Sequence, residues 1–514
     1  MSGKHPSHLS VVPPRLAAAL LLTLLGACAT VPDADHAIAT AADTAKSPIE
    51  GARGPLTIEE SRALIAKLTI QGDGTEVLQR HLAIEEAVAG RPLTADNEVH
   101  VLRDGAETFE AITRIIRDAS HDLDLEYYTI EDVTMPDGTG GTTTLLNLLL
   151  AKRREGVEVN ILYDSYGSSD TPGAFFDELA EAGANLLEYH PIAPTSPVNV
   201  LTLNNRNHRK ILVADGAVAV VGGVNLSKSY ESKSPGSGNG EAEEEGEVAP
   251  ARPGNPPANP SKTGLRKPGE APQGDAPFPA ENLPHVWHDT AIRIAGPAAA
   301  ELQALFRQHW ATENGPSLRP PLPSPSPVAA GNQVVRIIGS TPDDEIPRYY
   351  VTLISALRNA EQRAWVSAAY FVPTPEEKEA LIAAAERGVD VRLMLAGSSD
   401  SEQAVAAART HYTDFLDAGI KIYEVKNVVL HSKTVTIDGV WSAIGSSNFD
   451  HRSVLYNDEV DAIVLGAEAA AELESIFADG TKSATRIDPE TWEDTRSFAD
   501  RVEGFFVRMI ENLL

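Results

Sequence analysis

The feature that most constrains this chain is a spacing that occurs twice. His208, Lys210, Asp215, Gly222 and Asn225 recur as His431, Lys433, Asp438, Gly445 and Asn448, a shift of 223 residues. Both copies read H-x-K-x4-D-x6-G-(G/S)-x-N. Packing alone has no use for the same polar residues twice at one spacing, so two half-sites are expected to form one site. Ile211-Leu212-Val213 and Val435-Thr436-Ile437 are short β-forming runs that each lead to an Asp-Gly turn signal, which predicts a hairpin in each copy. On an extended chain, residues i and i+2 share a face, so each copy presents an imidazole beside an ammonium group. That pair suits a phosphate. The glycines allow close backbone approach, and Asn225 and Asn448 add amide donors for phosphoryl oxygens. Asp215 and Asp438 are motif members, but their place in the turns favours holding the loop over direct chemistry.

This doubled motif resembles that of the phospholipase D superfamily. The stretches LDLEYYTI, GVEVNILYDSYGS, WHDTAIRIAGPAAAELQALFRQHW and GSSNFDHRSVLYNDEVDAIVL resemble its bacterial cardiolipin synthase branch, a likeness that runs from about residue 95 to 514. The resemblance implies an α/β fold: two repeated α/β sandwich halves packed as a pseudo-two-fold pair, with the active site at their junction. It further implies a two-step displacement in which His208 attacks phosphorus to form a phosphohistidine. His431 protonates the leaving alcohol and later activates the incoming one. An imidazole titrates near working pH, so one can act as nucleophile while its twin carries a proton. Lys210 and Lys433 would stabilise charge on the equatorial oxygens. No metal and no cofactor is implied.

Each histidine needs a partner on its other nitrogen. Placing NDEVDAIV over WHDTAIRI sets Glu459 over Asp289, and each carboxylate is expected to orient the histidine of its own half. Tyr127-Tyr128 and Tyr370-Phe371, at strand ends, are expected either to line the channel or to pack. The remaining histidines, His288 among them, read as surface or hydrogen-bonded core residues.

In chain order, residues 1–27 read as a secretory signal: Lys4 and Arg15, an apolar run from Leu16 to Leu25, then Leu-Gly-Ala-Cys, which resembles a bacterial lipobox. Cys28, the single cysteine, is then the lipidation site, and multiple acyl chains there would anchor durably. Ala29 is not the aspartate associated with inner-membrane retention, so the periplasmic face of the outer membrane is preferred. Residues 28–55 are expected to be a flexible tether and 56–96 a helical extension with helices over Thr57–Leu68 and Glu76–Ala87. A first half follows over 97–314, a Pro-rich linker over 315–332, and a second half over 333–514. Local phrases recur between halves, as in EAGANLLEYH against DAGIKIYEVK, which points to duplication of one α/β unit. The first half is interrupted over 229–284 by a segment with eleven prolines and an acidic run, expected to be disordered. It separates Asn225 from Asp289 by 64 residues, where Asn448 and Glu459 are 11 apart. A stripe from Trp492 to Leu513 has helical spacing and is expected to dock on the core.

The formal net charge of −30 argues against a nucleic-acid partner, since phosphate backbones select basic surfaces. The expected partners are a phospholipid, phosphatidylglycerol or similar, and a membrane reached through the lipid anchor. Both half-sites lie in one chain, so a monomer is compatible with the chemistry and the sequence fixes no oligomeric state. Cardiolipin synthesis is the leading expectation. Hydrolysis to phosphatidic acid is second, a nuclease third, and an inactive envelope scaffold is opposed by two intact motifs.

Overall fold

The computed structural model describes residues 31–41, 49–71, 77–191, 204–231, 286–321 and 330–496. The signal segment with Cys28, the insert after Glu231 and the stripe after Arg496 lie outside the described residues.

The stretch read as a tether is partly built into the fold. Helix α1 (Ala34–Ala41) buries Ala34 and Ala37, and Asp35 pairs with Arg358. Ile49 is buried, and the Ala52 amide donates to Asp96 at 2.8 Å. Helices α2 (Ile58–Gln71) and α3 (Val77–Val88) follow. The α3 helix is fixed by a buried polar knot: Glu85 accepts from Arg336 Nε at 2.7 Å and from Trp441 Nε1 at 3.1 Å, and meets His81 Nε2 at 3.0 Å. Burial opposes ionisation of Glu85, but these three partners outweigh it and hold the carboxyl down to about 2.

The first half runs β1 (Leu93–Arg103), α4 (Asp104–Asp118), β2 (Asp122–Tyr127), α5 (Leu145–Glu155), β3 (Glu158–Asp164), α6 (Gly173–Glu181) and β4 (Asn185–Tyr189). Then come β5 (Arg206–Asn207), the hairpin β6 (Lys210–Ala214) and β7 (Val218–Gly222), β8 (Trp287–His288), β9 (Thr290–Ala295) and α7 (Pro297–Thr312). The second half repeats this: β10 (Gln333–Ser340), α8 (Arg348–Asn359), β11 (Arg363–Ala368), α9 (Pro375–Glu386), β12 (Asp390–Ala396), α10 (Glu402–Thr410), α11 (Tyr412–Asp417) and β13 (Lys421–Val425). Its closing elements are β14 (Val429–Leu430), the hairpin β15 (Lys433–Ile437) and β16 (Trp441–Gly445), α12 (His451–Leu455), β17 (Asn457–Leu465) and α13 (Ala467–Ser483).

Strand order is the same in both: β4-β3-β2-β6-β7-β9-β1 and β13-β12-β11-β15-β16-β17-β10. The sheets join where β1 and β10 pair antiparallel, with Asn97 opposite Gln333 and Leu93 opposite Arg336. Alternation along β6 shows why its sequence is apolar from Ile211 to Ala214. Ile211 and Val213 enter the core shared with Val221, Ile292, Ile444 and Val460 of the two sheets, while Leu212 and Ala214 face the helix layer of their own half. The result is two sheets that share an inner core, into which α7 and α13 also pack, with the other helices on their outer faces, which is the expected pair of α/β sandwich halves. The ends of β6 and β15 open on the same side of this junction.

Candidate active site

Two short strands cross between the halves and decide the site. Strand β5 runs parallel to β17, with Arg206 opposite Asn457 and Asn207 opposite Asp458, and the His208 amide extends this ladder to Asp458 O at 2.9 Å. Strand β8 runs parallel to β14, and the His431 amide donates to His288 O at 2.7 Å. Each histidine is thereby delivered to the carboxylate-bearing strand of the opposite half. His208 Nδ1 lies 3.0 and 3.1 Å from the Glu459 oxygens, and His431 Nδ1 lies 2.8 Å from Asp289 Oδ2. This corrects the pairing expected from the repeat: both carboxylates are present, but each serves its neighbour's histidine. Alignment of two repeats compares positions within each half and carries no information about strands exchanged between them.

Around the first histidine, Glu459 is fully buried. It accepts from Ser446 Oγ at 2.5 Å, Ser453 Oγ at 3.0 Å and Asn457 Nδ2 at 3.1 Å. Burial favours its neutral form, yet His208, Lys210 and Ser446 overcome that and keep it ionised below the usual carboxylate range. Burial pushes His208 itself down to about 4, against the pull of Glu459 and with the push of Lys210. The ring is therefore neutral near pH 7. With Nδ1–H donated to Glu459, the free lone pair sits on Nε2.

The second histidine is surrounded differently. The Tyr230 hydroxyl lies 2.9 Å from His431 Nδ1 and donates to Asp289 Oδ2 at 3.0 Å. The Trp287 ring centre is 5.3 Å from that of His431, and Tyr370 meets the ring edge-on at 6.1 Å. Tyr128 plays the edge-on part for His208, at 5.4 Å. Of the four strand-end aromatics, Tyr128 and Tyr370 line the cavity, whereas Tyr127 and Phe371 belong to the hydrophobic core. Burial and Lys433 hold His431 below its ordinary value, with Asp289 opposing.

Tyr230 was not singled out by the sequence, although a signal for it exists. It stands five residues after Asn225, as Ser453 stands five after Asn448, and each hydroxyl donates to the carboxylate of its own half. Gly223 stands where the second copy has Ser446, and a Cβ there would lie 2.1 Å from Asp289 Oδ1. The shorter carboxylate and the bulky tyrosine of one half thus replace the longer carboxylate and two serines of the other.

Lys210 Nζ and Lys433 Nζ each donate to the carbonyl of the histidine two residues before, both at 2.5 Å. Burial pushes them down to about 7 and about 8, with Glu459 and Asp289 pulling up. Asn225 accepts from the Thr129 amide at 3.2 Å, while Asn448 Oδ1 has no partner among the described residues. Both line a cavity of about 590 Å³ that also holds His208 and His431. Asp215 and Asp438 are elsewhere. Each has positive φ, +53° and +52°, and each accepts three backbone amides: Ser120, His121 and Asp122 in one case, Glu361, Gln362 and Arg363 in the other. A five-residue strand, roughly 16 Å long, separates them from the lysines, so they hold turns and do not reach the reacting atoms. Among the described residues, no group of three or more His, Cys, Asp or Glu is placed to hold a metal ion.

The sequence profile of the family described as "Cardiolipin synthase, PLD-like domain" matches twice, over residues 112–236 and 353–480. The chain is 30% identical over 438 residues to a cardiolipin synthase of Geobacillus kaustophilus, covering 84% of this chain and 76% of that one. It belongs to the cardiolipin synthase family of phospholipase D-like proteins. A cardiolipin synthase of Halalkalibacterium halodurans is 29% identical over 459 residues, covering 89% of this chain and 80% of the relative. In fold, this family member superposes on the crystal structure of phosphatidylserine synthase from Haemophilus influenzae with a TM-score of 0.53 at 11% identity, over 84% of this chain and 99% of that one. The duplicated motifs fall inside the two matched stretches, with Asn225 and Asn448 included.

Proposed function

We propose that this protein is a phosphatidyltransferase that joins two phospholipids into cardiolipin, with phosphatidylglycerol or a close relative as donor. The observation that carries the mechanism is the pair of buried histidines in one cavity, each held by a carboxylate of the other half and each with a buried lysine two residues further on. Neutral His208 attacks the donor phosphorus through Nε2. The bond from phosphorus to the headgroup oxygen breaks, and that oxygen takes a proton from His431. A phosphodiester anion entering beside Lys433 offsets the lysine's field, which favours the protonated His431 this step requires. Lys210, Lys433 and the Asn225 amide face the phosphoryl oxygens. In the second step an acceptor hydroxyl loses its proton to His431 and attacks phosphorus, the P–N bond breaks, and His208 is regenerated.

No described helix is long and apolar enough to cross a membrane. We place the enzyme at a bacterial envelope membrane, held by acylated Cys28 on the periplasmic side, with the outer membrane preferred.

The test is incubation of purified protein with phosphatidylglycerol in mixed micelles. Cardiolipin with one glycerol released per turnover is the expected result, and His208→Ala should trap no phospho-enzyme. Phosphatidic acid alone would make the protein a hydrolase, and label trapped in His208→Ala would reverse the assignment of the two histidines.

A further inference from the structure

Cardiolipin formation needs an acceptor that already carries a phosphate, and the cavity holds cations that the reacting phosphate does not use. Besides the two histidines, the basic residues lining it are Arg206 and Arg452. They sit side by side on consecutive carbonyls of one loop. Arg206 Nε donates to Asn205 O at 2.6 Å, while Arg452 reaches Asn204 Oδ1 at 2.6 Å and Asn204 O at 3.1 Å. Arg206 is 5% exposed; among the described residues its one carboxylate contact is Asp164 at 3.4 Å, and its Nη2 has no hydrogen-bond partner. Arg452 is half-buried and bonds to the neutral Asn204. Among the described residues Arg206 thus meets one carboxylate and Arg452 forms no ion pair, although its charge is felt by Asp450, and two guanidinium groups in a partly desolvated wall suit a phosphate.

Their position relative to the chemistry is set by the exchanged strand. Arg206 and His208 are i and i+2 on the extended run through β5, so they lie on one face, roughly 7 Å apart along it. A glycerol backbone spans a gap of that order. The donor lipid has a single phosphate, which the lysines and His208 take. The second cationic patch is left for a phosphate one glycerol backbone away from the reacting phosphorus.

We propose that Arg206 and Arg452 form an acceptor subsite that binds the phosphodiester of the incoming lipid and so directs its terminal hydroxyl to the phosphohistidine. This deepens the transferase reading and rests on it. The subsite gives selectivity for an alcohol carrying a phosphate over water or a plain polyol. Asp400 and Asp450 also line the cavity. Asp400 is engaged by the Tyr370 hydroxyl at 2.7 Å, on the side of His431, and Asp450 accepts the Ser453 amide at 2.7 Å as the cap of α12.

The experiment measures selectivity in the full-length protein in detergent micelles. Conversion of phosphatidylglycerol to cardiolipin is compared with exchange of labelled free glycerol into phosphatidylglycerol. In Arg452→Gln the ratio of the first rate to the second should fall at least about ten-fold, the loss of one charge-assisted hydrogen bond, and Arg452→Lys should recover part of it. A ratio equal to wild type, whether both rates fall or neither does, overturns the subsite, because a merely structural role moves both rates together. Should wild-type protein release only phosphatidic acid, the transferase reading fails, and calorimetric titration with glycerol 3-phosphate decides the subsite alone. Weaker binding to Arg452→Gln sustains an anion subsite, and equal binding removes it.

Discussion

Replacing Glu459 by Gln tests the crossed wiring of the site. In wild type the carboxylate meets His208 Nδ1 at 3.0 Å. When His208 attacks phosphorus its ring becomes cationic, and at an effective dielectric of about 20 a carboxylate at that separation is worth about 5–6 kcal/mol. Gln keeps a carbonyl acceptor, so a neutral hydrogen bond of about 1 kcal/mol survives and the net loss is about 3–5 kcal/mol, the range for breaking a buried pair. Formation of the phospho-enzyme should slow by about 10²- to 10⁴-fold. Rapid quench with a labelled phosphatidyl donor reads this rate directly. The decisive control changes the leaving group. A nitrophenyl donor needs no general acid, so it should relieve the defect of Asp289→Asn, whose partner is His431, and leave the defect of Glu459→Gln in place. The opposite pattern, with Glu459→Gln rescued and Asp289→Asn not, would restore the pairing within each half and refute the exchange.

Tyr230→Phe removes the hydroxyl that bridges Asp289 and His431; cardiolipin synthesis should drop about five- to ten-fold, with rescue by the same nitrophenyl donor. Sulfate, which does not titrate in this range, should inhibit by occupying the lysine pair. Because Lys210 and Lys433 titrate near 7 and 8 in the free site and a bound anion keeps both protonated, inhibition should be full below about pH 7. It should weaken as pH rises through 8, approaching ten-fold per pH unit per lysine; a flat profile of the inhibition constant over pH 6–9 would contradict this. Asp438→Ala should lower stability by about 1–3 kcal/mol, seen as a fall of several degrees in Tm, while the rate per folded molecule stays within about two-fold. Cys28→Ser should shift the protein from the membrane to the soluble periplasmic fraction; unchanged partitioning would assign attachment to another surface.

Much of this was legible because duplication writes the same instruction twice. The hairpins, the helix-strand order of both halves and the clustered histidines and lysines follow from short repeated phrases whose periodicity is local. What failed was non-local. The positions of Asp289 and Glu459 can be read from the repeat, but their allegiance is fixed by β5 and β8, strands of two residues each that carry almost no sequence signal. Tyr230 was hidden because its counterpart is a serine, so the position aligns while the chemistry does not. The tether over 28–55 misread a segment whose small residues, Ala34 and Ala37, are suited to close packing of α1 against α3 and α8. Asp215 and Asp438 illustrate the reverse case. Their invariance between the two copies reflects a turn that must accept three amides, and the Asp-Gly signal was enough to read that role.

The exchange of β5 and β14 between the halves also has a consequence for how activity arises during synthesis. When the amino-terminal half leaves the ribosome it carries an imidazole whose counter-charge, Glu459, has not yet been translated, and Asp289 waits for a ring that belongs to residues still to come. Neither portion can rehearse the reaction alone. Competence appears when the second half docks and both exchanged contacts close, so a chain that ends before the second half is chemically silent.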